Sequence, residues 1–534
     1  MRGWVRRYGW VCGERVFSFP WWLSFSIGFL SLSEEIIWVR VIGFRYQSLP
    51  PAFSFVLLCF LGGIALGAAF GKRLCAHVKD LYFAGALLLS ASALTDVLSP
   101  WCIGNLISPD ESNLIAPALV MAFTAALKSS LFPVVHHLGA CAQQPLVGRS
   151  VSRIYFGNIL GATLGPIVTG FLAFDYLSVD ECFGVVAACC LLASMFCALK
   201  SMKRQIILVT LATSAISSAI AYRMILPGPG SLASFAAGGV QSMSHFIANR
   251  HGVIHTATTS QGDLVFGGNV YDGIATVNGD TNPNGLERLY MLALLDPEPK
   301  QVLFVGLSAG AWVRAMLGFP SVERIDVIEL NPGYLELTRA YPQLSLVLKD
   351  PRVHIHFDDG RRWLRRNPNS RFDFFVQNTT YYWRAYSGNL LSREYLSEVK
   401  RHLNPGGIAI LNSTGSFDVL ATVRTVFDRA YRYRNFAYAS DHDLVPDMAR
   451  LSKIRRPNGT PFLIADAPPT GVAAMLATAR LEPVEEFLAR RTNHAEIITD
   501  DNLLTEYRHG RRFGPEFLRD LLPPETPHFE FGDP

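Results

Sequence analysis

The sequence predicts a multi-span α-helical membrane domain followed by an α/β Rossmann-like domain with a small amino-terminal β lobe. Three observations carry that prediction. Before about Leu226 the chain is a series of long apolar runs separated by short polar loops. After it, charged residues and turn formers return at frequencies ordinary for a soluble domain. From about residue 301, short apolar strands alternate with helical patterns, the signature of a largely parallel sheet. A chain of 534 residues exceeds one ordinary domain. The boundaries follow as 1–225 for the membrane part, 226–251 for a linker and 252–534 for the α/β part.

A bilayer core needs about 20 predominantly apolar residues per helix. Seven runs qualify: 21–43, 52–70, 81–98, 114–135, 155–174, 182–199 and 206–225. The first is not a cleavable signal peptide, because it is too long, carries Glu34 and Glu35 and is followed at once by more spans. Lys72, Arg73 and Lys79 follow the second run, Arg149 and Arg153 the fourth, and Lys200, Lys203 and Arg204 the sixth. With Arg2, Arg6, Arg7 and Arg15 of the amino-terminal tail they fall on one side, which the positive-inside rule makes cytoplasmic. Arg45 is the main exception. The implied location is multi-pass in a cell membrane, a bacterial inner membrane, with the lipid bilayer as a partner. Seven spans from a cytoplasmic start put the second half outside the cytoplasm, and one miscounted span would bring it back.

Gly63, Gly67 and Gly71 lie on one face of the second run, and Gly161, Gly165 and Gly170, with Pro166, on the fifth. Small faces let helices approach closely in lipid, where apolar burial provides little drive. Glu35, Arg40 and Lys128 lie within apolar runs. Intramembrane charge is costly, so a functional role is one reading and an ion pair the other. All nine cysteines lie between Cys12 and Cys197, with no metal-ligand spacing and no disulfide framework for the second half. His136 and His137 read as a loop pair, and no metal site is expected. A formal charge of +4 with scattered basic residues leaves no nucleic-acid footprint.

In the second half, the runs 253–256, 264–266 and 273–277 between Gly- and Asn-containing turns predict a small antiparallel lobe. The buried strand 301–305 then leads into Gly306-Leu307-Ser308-Ala309-Gly310 and an apolar helix through Leu317. Glycine at a strand-to-helix turn lets the backbone approach a ligand, and the helix N-terminus offers N–H donors. The strand 325–328 ends at Glu329, about 20 residues on, where an acid binds a ribose hydroxyl pair. A third strand, 353–357, meets Asp358-Asp359-Gly360 and a helix. A fourth, 372–376, ends at Gln377-Asn378-Thr379-Thr380. The helix 392–402, the turn 404–407 and the strand 408–411 follow.

This ordering resembles the class I methyltransferase fold, and specifically the spermidine synthases, over 252–415. The resemblance implies that Gly306, Ser308 and Gly310 form the cofactor loop, Glu329 the ribose acid and Asp359 the adenine-edge position. The implied cofactor is S-adenosylmethionine or its decarboxylated form. Glu35-Ile36-Ile37-Trp38-Val39-Arg40, the glycine face of the second run and Asn158 through Gly170 narrow the likeness. They are similar to bacterial proteins that fuse a transporter-like membrane region to a spermidine-synthase-like domain. Thr499-Asp500-Asp501-Asn502 is similar to the Thr-Asp-Asp signature near their carboxy terminus.

The pattern breaks where chemistry is expected. The family holds its amine nucleophile with acids in an Asp-Ser-x-Asp-Pro-like loop, and here that loop reads Asn378-Thr379-Thr380-Tyr381-Tyr382. The Tyr-His-Glu triplet before strand one is replaced by Leu286-Glu287-Arg288-Leu289-Tyr290. An amide accepts a hydrogen bond from an amine but cannot take its proton. Asn378 and Tyr381 therefore stand at the catalytic positions, and Asp501 is a candidate replacement acid if the tail folds over the site. Tyr382 and Arg384, beside Trp383, suit a flat or anionic substrate, since Arg grips carboxylate or phosphate in a planar fork. The small-molecule acceptor is then something other than putrescine. The competing reading is a transporter or ligand-sensing membrane protein with a catalytically inactive synthase-like domain. Oligomeric state is not readable from these motifs.

Overall fold

The computed structural model describes residues 18–106, 114–139, 147–201, 205–225, 232, 243–296, 298–378, 381–463, 468–490 and 494–507. Two compact units emerge: Met1–Ile42 with Ala52–Phe235, and Gly43–Pro51 with Ala236–Pro534. The expected terminal residues beyond 507, the basic residues of the amino-terminal tail, Lys203, Arg204, Thr379 and Thr380 lie outside the described residues.

The first unit is helical: α1 (Phe19–Arg45), α2 (Pro50–His77), α3 (Leu81–Leu106), α4 (Ile115–Gly139), α5 (Val147–Val168), α6 (Val179–Lys200) and α7 (Gln205–Ile225). A short π-helical turn, Thr169–Ala173, prolongs α5. Among the described residues five helices, not seven, are long and apolar enough to cross a membrane: Pro50–His77, Leu81–Ile103, Ile115–Gly139, Val151–Tyr176 and Val179–Lys200. The helix α1, which carries Glu34, Glu35 and Arg40, is not among them. In the last helix Ile207–Ser217 is a shorter apolar stretch. His136 and His137 sit in the last turn of α4 rather than in a loop, with His136 edge-on to Phe132 at 4.4 Å.

Two features hold this bundle. A methyl group at Gly63, Gly67 or Gly71 of α2 would land on the α4 carbonyls of Ala122, Ala126 or Ser130, so only glycine permits that approach. Lys128 of α4, fully buried, reaches Glu34 of α1 at 2.7 Å and Asp96 of α3 at 2.6 Å. The acid that pairs with Lys128 is thus Glu34, which is completely buried, whereas Glu35 is only half-buried and Arg40 lies over the Phe174 ring at 4.5 Å. Cys190 points its thiol at Asp96, 3.7 Å away.

The second unit opens with an antiparallel four-stranded lobe, β1 (Phe246–Asn249), β2 (Gly252–Thr259), β3 (Gly262–Gly267) and β4 (Val270–Ile274). Its first strand falls in the stretch expected as linker. An eight-stranded sheet follows, in the order β12-β10-β11-β9-β8-β5-β6-β7. Its parallel part comprises β5 (Gln301–Val305), β6 (Arg324–Glu329), β7 (Val353–Phe357), β8 (Phe372–Gln377) and β9 (Leu403–Asn412). The remaining strands, β10 (Arg429–Tyr433), β11 (Phe436–Ser440) and β12 (Glu482–Pro483), pair antiparallel. Helices α8 (Glu287–Leu295), α9 (Ala311–Met316), α10 (Gly333–Ala340), α11 (Gly360–Arg366), α12 (Arg393–Arg401) and α13 (Phe417–Val426) cover the sheet.

Alternation along the strands sends Val302, Phe304, Phe374, Val376, Ile408 and Ile410 into one core. Leu303, Val305, Phe375, Ala409 and Leu411 enter the core on the opposite face. The expected turn at 404–407 is instead a bulge inside β9: Phe372 pairs with Leu403 and Phe374 with Ile408, while Gly406 takes φ 78.

Candidate functional site

Parallel pairing brings the carboxyl ends of β5, β6, β7 and β8 side by side: Val305 lies against both Ile328 and Gln377, and Glu329 against Phe357. Ligands of open α/β sheets bind at this edge. A small cleft opens there. Gly306, Ser308, Phe304, Trp312 and Asn378 line it from the sheet side, and Asp272 and Ile274 from β4.

The turn after β5 is built from left-handed residues: Gly306 at φ 97, Ser308 at φ 48 and Gly310 at φ 82. The Gly306 and Gly310 N–H groups are held within the protein, by the Ile328 and Leu307 carbonyls at 2.8 and 2.9 Å. Ser308 is pinned because its hydroxyl donates to the Asp272 carbonyl at 2.9 Å. Gly310 stands at the start of α9, and a side chain there would crowd Thr338.

Glu329 ends β6, almost fully buried. Its Oε2 accepts from the Leu307 N–H at 2.8 Å and its Oε1 from the Asn331 N–H at 2.7 Å. Burial pushes its carboxyl up to about 7, these N–H groups opposing the rise and the Asp272 charge adding to it. Each carboxylate oxygen keeps a lone pair for a ribose hydroxyl. Asp359 caps α11 by accepting from the Arg362 N–H at 2.8 Å, while Asp358 pairs with Arg362 and Arg366. Gly306, Ser308, Gly310, Glu329 and Asp359 thus share the carboxyl edge of the sheet, the positions where the sequence placed a cofactor loop, a ribose acid and an adenine-edge acid.

Asn378 lines the cleft with its Oδ1 occupied by the Asn412 amide at 3.0 Å, and Asn412 in turn accepts from Asn435 at 3.0 Å. Tyr381 is half-buried and tilted against Trp383, ring centres 5.3 Å apart. Trp383 is buried with Leu49 and Val270. Tyr382 packs against the core on the Leu303 face of the sheet, its carbonyl accepting from Ser387 at 2.7 Å. The Arg384 guanidinium lies beside the Gly268 backbone and close enough to Asp272 to draw its carboxyl down.

The tail docks, but by other residues than Asp501. Asp501 is exposed and lines no part of the cleft. Asp500 makes a two-pronged pair with Arg361 at 2.7 and 2.5 Å and accepts from Ser392 at 2.7 Å. Glu506 accepts from the Tyr386 and Gly388 N–H groups at 2.9 and 2.8 Å, which ties the tail to the loop after Arg384. In the Leu286–Tyr290 stretch, Glu287 is buried against Asn282 at 2.6 Å and Tyr290 is buried in the core.

Asp272 is the residue that sequence reasoning missed. Its Oδ2 accepts from the Tyr334 hydroxyl at 2.6 Å. Burial pushes it up to about 6, against the pull of Tyr334 and Arg384. It lies in the β lobe, well upstream of the glycine turn, so no local motif ties it to the site. The only signal was an acid beside the glycine that opens a predicted strand, 273–277.

Residues 289–433 match the model of the spermine/spermidine synthase domain. Over 116 residues, 22% of this chain and 40% of the other, the sequence is 29% identical to a polyamine aminopropyltransferase of Alkaliphilus oremlandii. Over 185 residues, 32% of this chain and 50% of the other, it is 24% identical to putrescine N-methyltransferase 2 of Nicotiana attenuata. The chain therefore spans half or less of the length of these curated relatives. A crystal structure of spermidine synthase in complex with the transition-state analogue AdoDATO is 20% identical, with a TM-score of 0.37, covering 41% of this chain and 80% of that one. Residues 289–433 thus resemble a spermine/spermidine synthase domain, within a unit whose strands β5 to β9 form a parallel α/β sheet.

Proposed function

We propose that this chain is a multi-pass membrane transferase of the spermidine-synthase type. It binds S-adenosylmethionine or its decarboxylated form and acts on a small-molecule acceptor other than putrescine. The observation that carries this reading is the cleft shared by the glycine turn, Asn378 and Asp272. Five long apolar helices and the glycine face of α2 support insertion in a cell membrane.

Bound in the cleft, the adenosyl donor supplies an electrophilic carbon beside its sulfonium. The glycine turn admits the donor closely, Glu329 accepts from the ribose hydroxyls and Asp359 meets the adenine edge. Asp272 takes the proton that a nucleophile must lose, a role that Asn378 cannot fill. With its carboxyl near 6 it is ionised at neutral pH, and the Tyr334 hydroxyl holds it in place. Asn378 offers its NH₂ to the acceptor and Tyr381 closes the wall. Arg384, with Tyr382 and Trp383 near it, sets the charge preference. A diamine would bring its second ammonium towards this guanidinium, whereas a carboxylate or phosphate would be gripped by it.

Calorimetry on the full-length protein tests the first half of the proposal. S-adenosylmethionine, its decarboxylated form or methylthioadenosine should bind, and Glu329→Ala should weaken binding at least tenfold, about 1.4 kcal/mol. Absence of binding by all three would sink it. Robust spermidine formation from putrescine would overturn the acceptor assignment. The second reading, a transporter or ligand sensor with an inactive synthase-like domain, is favoured by one observation, the buried Glu34–Lys128–Asp96 cluster in the helical unit.

A further inference from the structure

Residues Gly43–Pro51, the last residues of α1, the turn after it and the first residues of α2, pack as part of the synthase-like unit. The Ser48 carbonyl accepts from the Ala385 N–H at 2.9 Å. The Gln47 amide donates to the Asn269 carbonyl at 3.0 Å. Leu49 is buried with Val270 and Trp383. Phe44 meets the His255 ring edge-on at 5.8 Å. Gln47 and Ser48 are consecutive non-glycine residues in the left-handed region, at φ 55 and φ 59. Such a backbone persists only where surrounding contacts over-determine it.

The groups gripped by this segment are those of the proposed acceptor wall. Asn269 and Val270 lead into β4 and Asp272, and Trp383 and Ala385 flank Arg384. We infer that Gly43–Pro51 is a positioning element that holds Trp383 and Arg384 against the Gly268 turn. It must then lie on the same side of the membrane as the cleft. The identification of that wall rests on the functional reading above; the packing and its consequence for topology do not.

That consequence is a parity rule. The chain runs from Pro51 to β1 through α2 to α7, and a chain that leaves one side and returns to it crosses an even number of times. Five of these helices are long and apolar enough to cross. The sixth crossing falls to Gln205–Ile225, whose 21 residues reach about 30 Å as a helix, enough for a bilayer core.

Full-length protein in native membranes tests this, with the nine native cysteines changed to serine. Ser48→Cys and Ala385→Cys should each react with a membrane-impermeant maleimide from the same side. Together they should yield, on mild oxidation, joined peptides detectable by mass spectrometry. Labelling from opposite sides, or no joined peptide although both thiols react, overturns the inference. For positioning, Leu49→Ala should speed amide exchange at least tenfold across 384–388, and Leu49→Met should restore it. Methylthioadenosine affinity should be unchanged by either variant. Unchanged exchange at 384–388 would also overturn the positioning role, whereas loss of methylthioadenosine binding by the parent protein would overturn the functional reading alone.

Discussion

Asp272 feels three opposing influences at once. Burial raises its carboxyl to about 6, while the Tyr334 hydroxyl and the Arg384 charge pull it down. As a base it works only when ionised, so turnover should rise with pH through about 6. Removing the cation with Arg384→Ala should move that rise to higher pH, since the anion loses a stabilising neighbour. Asp272→Asn should lower turnover by about 10²–10⁴-fold, the usual worth of a positioned acid or base, and abolish the rise. A pH profile of the three proteins decides this, and an unshifted profile in Arg384→Ala would count against the pairing. Glu329 carries its own pH signature. Its folded value, about 7, lies above the ordinary carboxylate value. The stabilisation of the fold that this shift represents is therefore complete below about pH 4.5 and lost as pH rises through 7. Ribose hydroxyls donate to the ionised form, so methylthioadenosine should bind more tightly above pH 7 than below it. The positions of Gly306, Glu329 and Asn378 were legible because each ends a strand with a recognisable apolar run. Asp272 was not, because its partners are distant in sequence and meet it only through folding.

At the scale of elements, α1, α3 and α4 meet through one buried lysine and two buried carboxylates. Taking away the cation leaves two anions without compensation in an apolar bundle. Lys128→Met should therefore destabilise the protein by about 3–5 kcal/mol, and adding Glu34→Gln should recover part of the loss. Thermal unfolding of the detergent-solubilised protein measures both. The contact of α2 with α4 makes a second contrast. Gly67→Val would force a methyl onto the Ala126 carbonyl, whereas Gly62, five residues earlier and off that face, meets nothing within 4 Å. The first change should cost about 1–3 kcal/mol, as overpacking does, and Gly62→Val should be nearly neutral. Equal effects would mean that the glycine face is not a packing surface. The small-residue periodicity of α2 announced such a face, but not its partner. Likewise the sequence marked Lys128 as costly without indicating that Glu34, rather than its neighbour Glu35, answers it. Adjacent residues on a helix point about 100° apart, so only the packed bundle selects between them.

For the whole molecule, topology is the property with most consequence. Reporter fusions near Arg73 and Arg149 should read cytoplasmic, and fusions within the synthase-like unit should read as the opposite side. A cytoplasmic reading at all three would mean an odd number of crossings between Pro51 and β1, and the Gly43–Pro51 packing would have to be abandoned. With the synthase-like unit on that opposite side, the adenosyl donor for the proposed reaction is needed outside the cytoplasm. What the sequence by itself determined is the division into an apolar helical half and an α/β half, the order of the strands and the place of the glycine turn after β5. These depend on periodicity, composition and local turn chemistry, which short windows of sequence contain. The tertiary structure alone decided the rest: the lobe carboxylate beside Asn378, the fastening of the tail through Asp500 and Glu506 while Asp501 stays exposed, and the placement of Gly43–Pro51 against Trp383. Each of these joins segments that are far apart along the chain, and such pairings follow from packing and hydrogen-bond satisfaction over the folded whole, which no local pattern encodes.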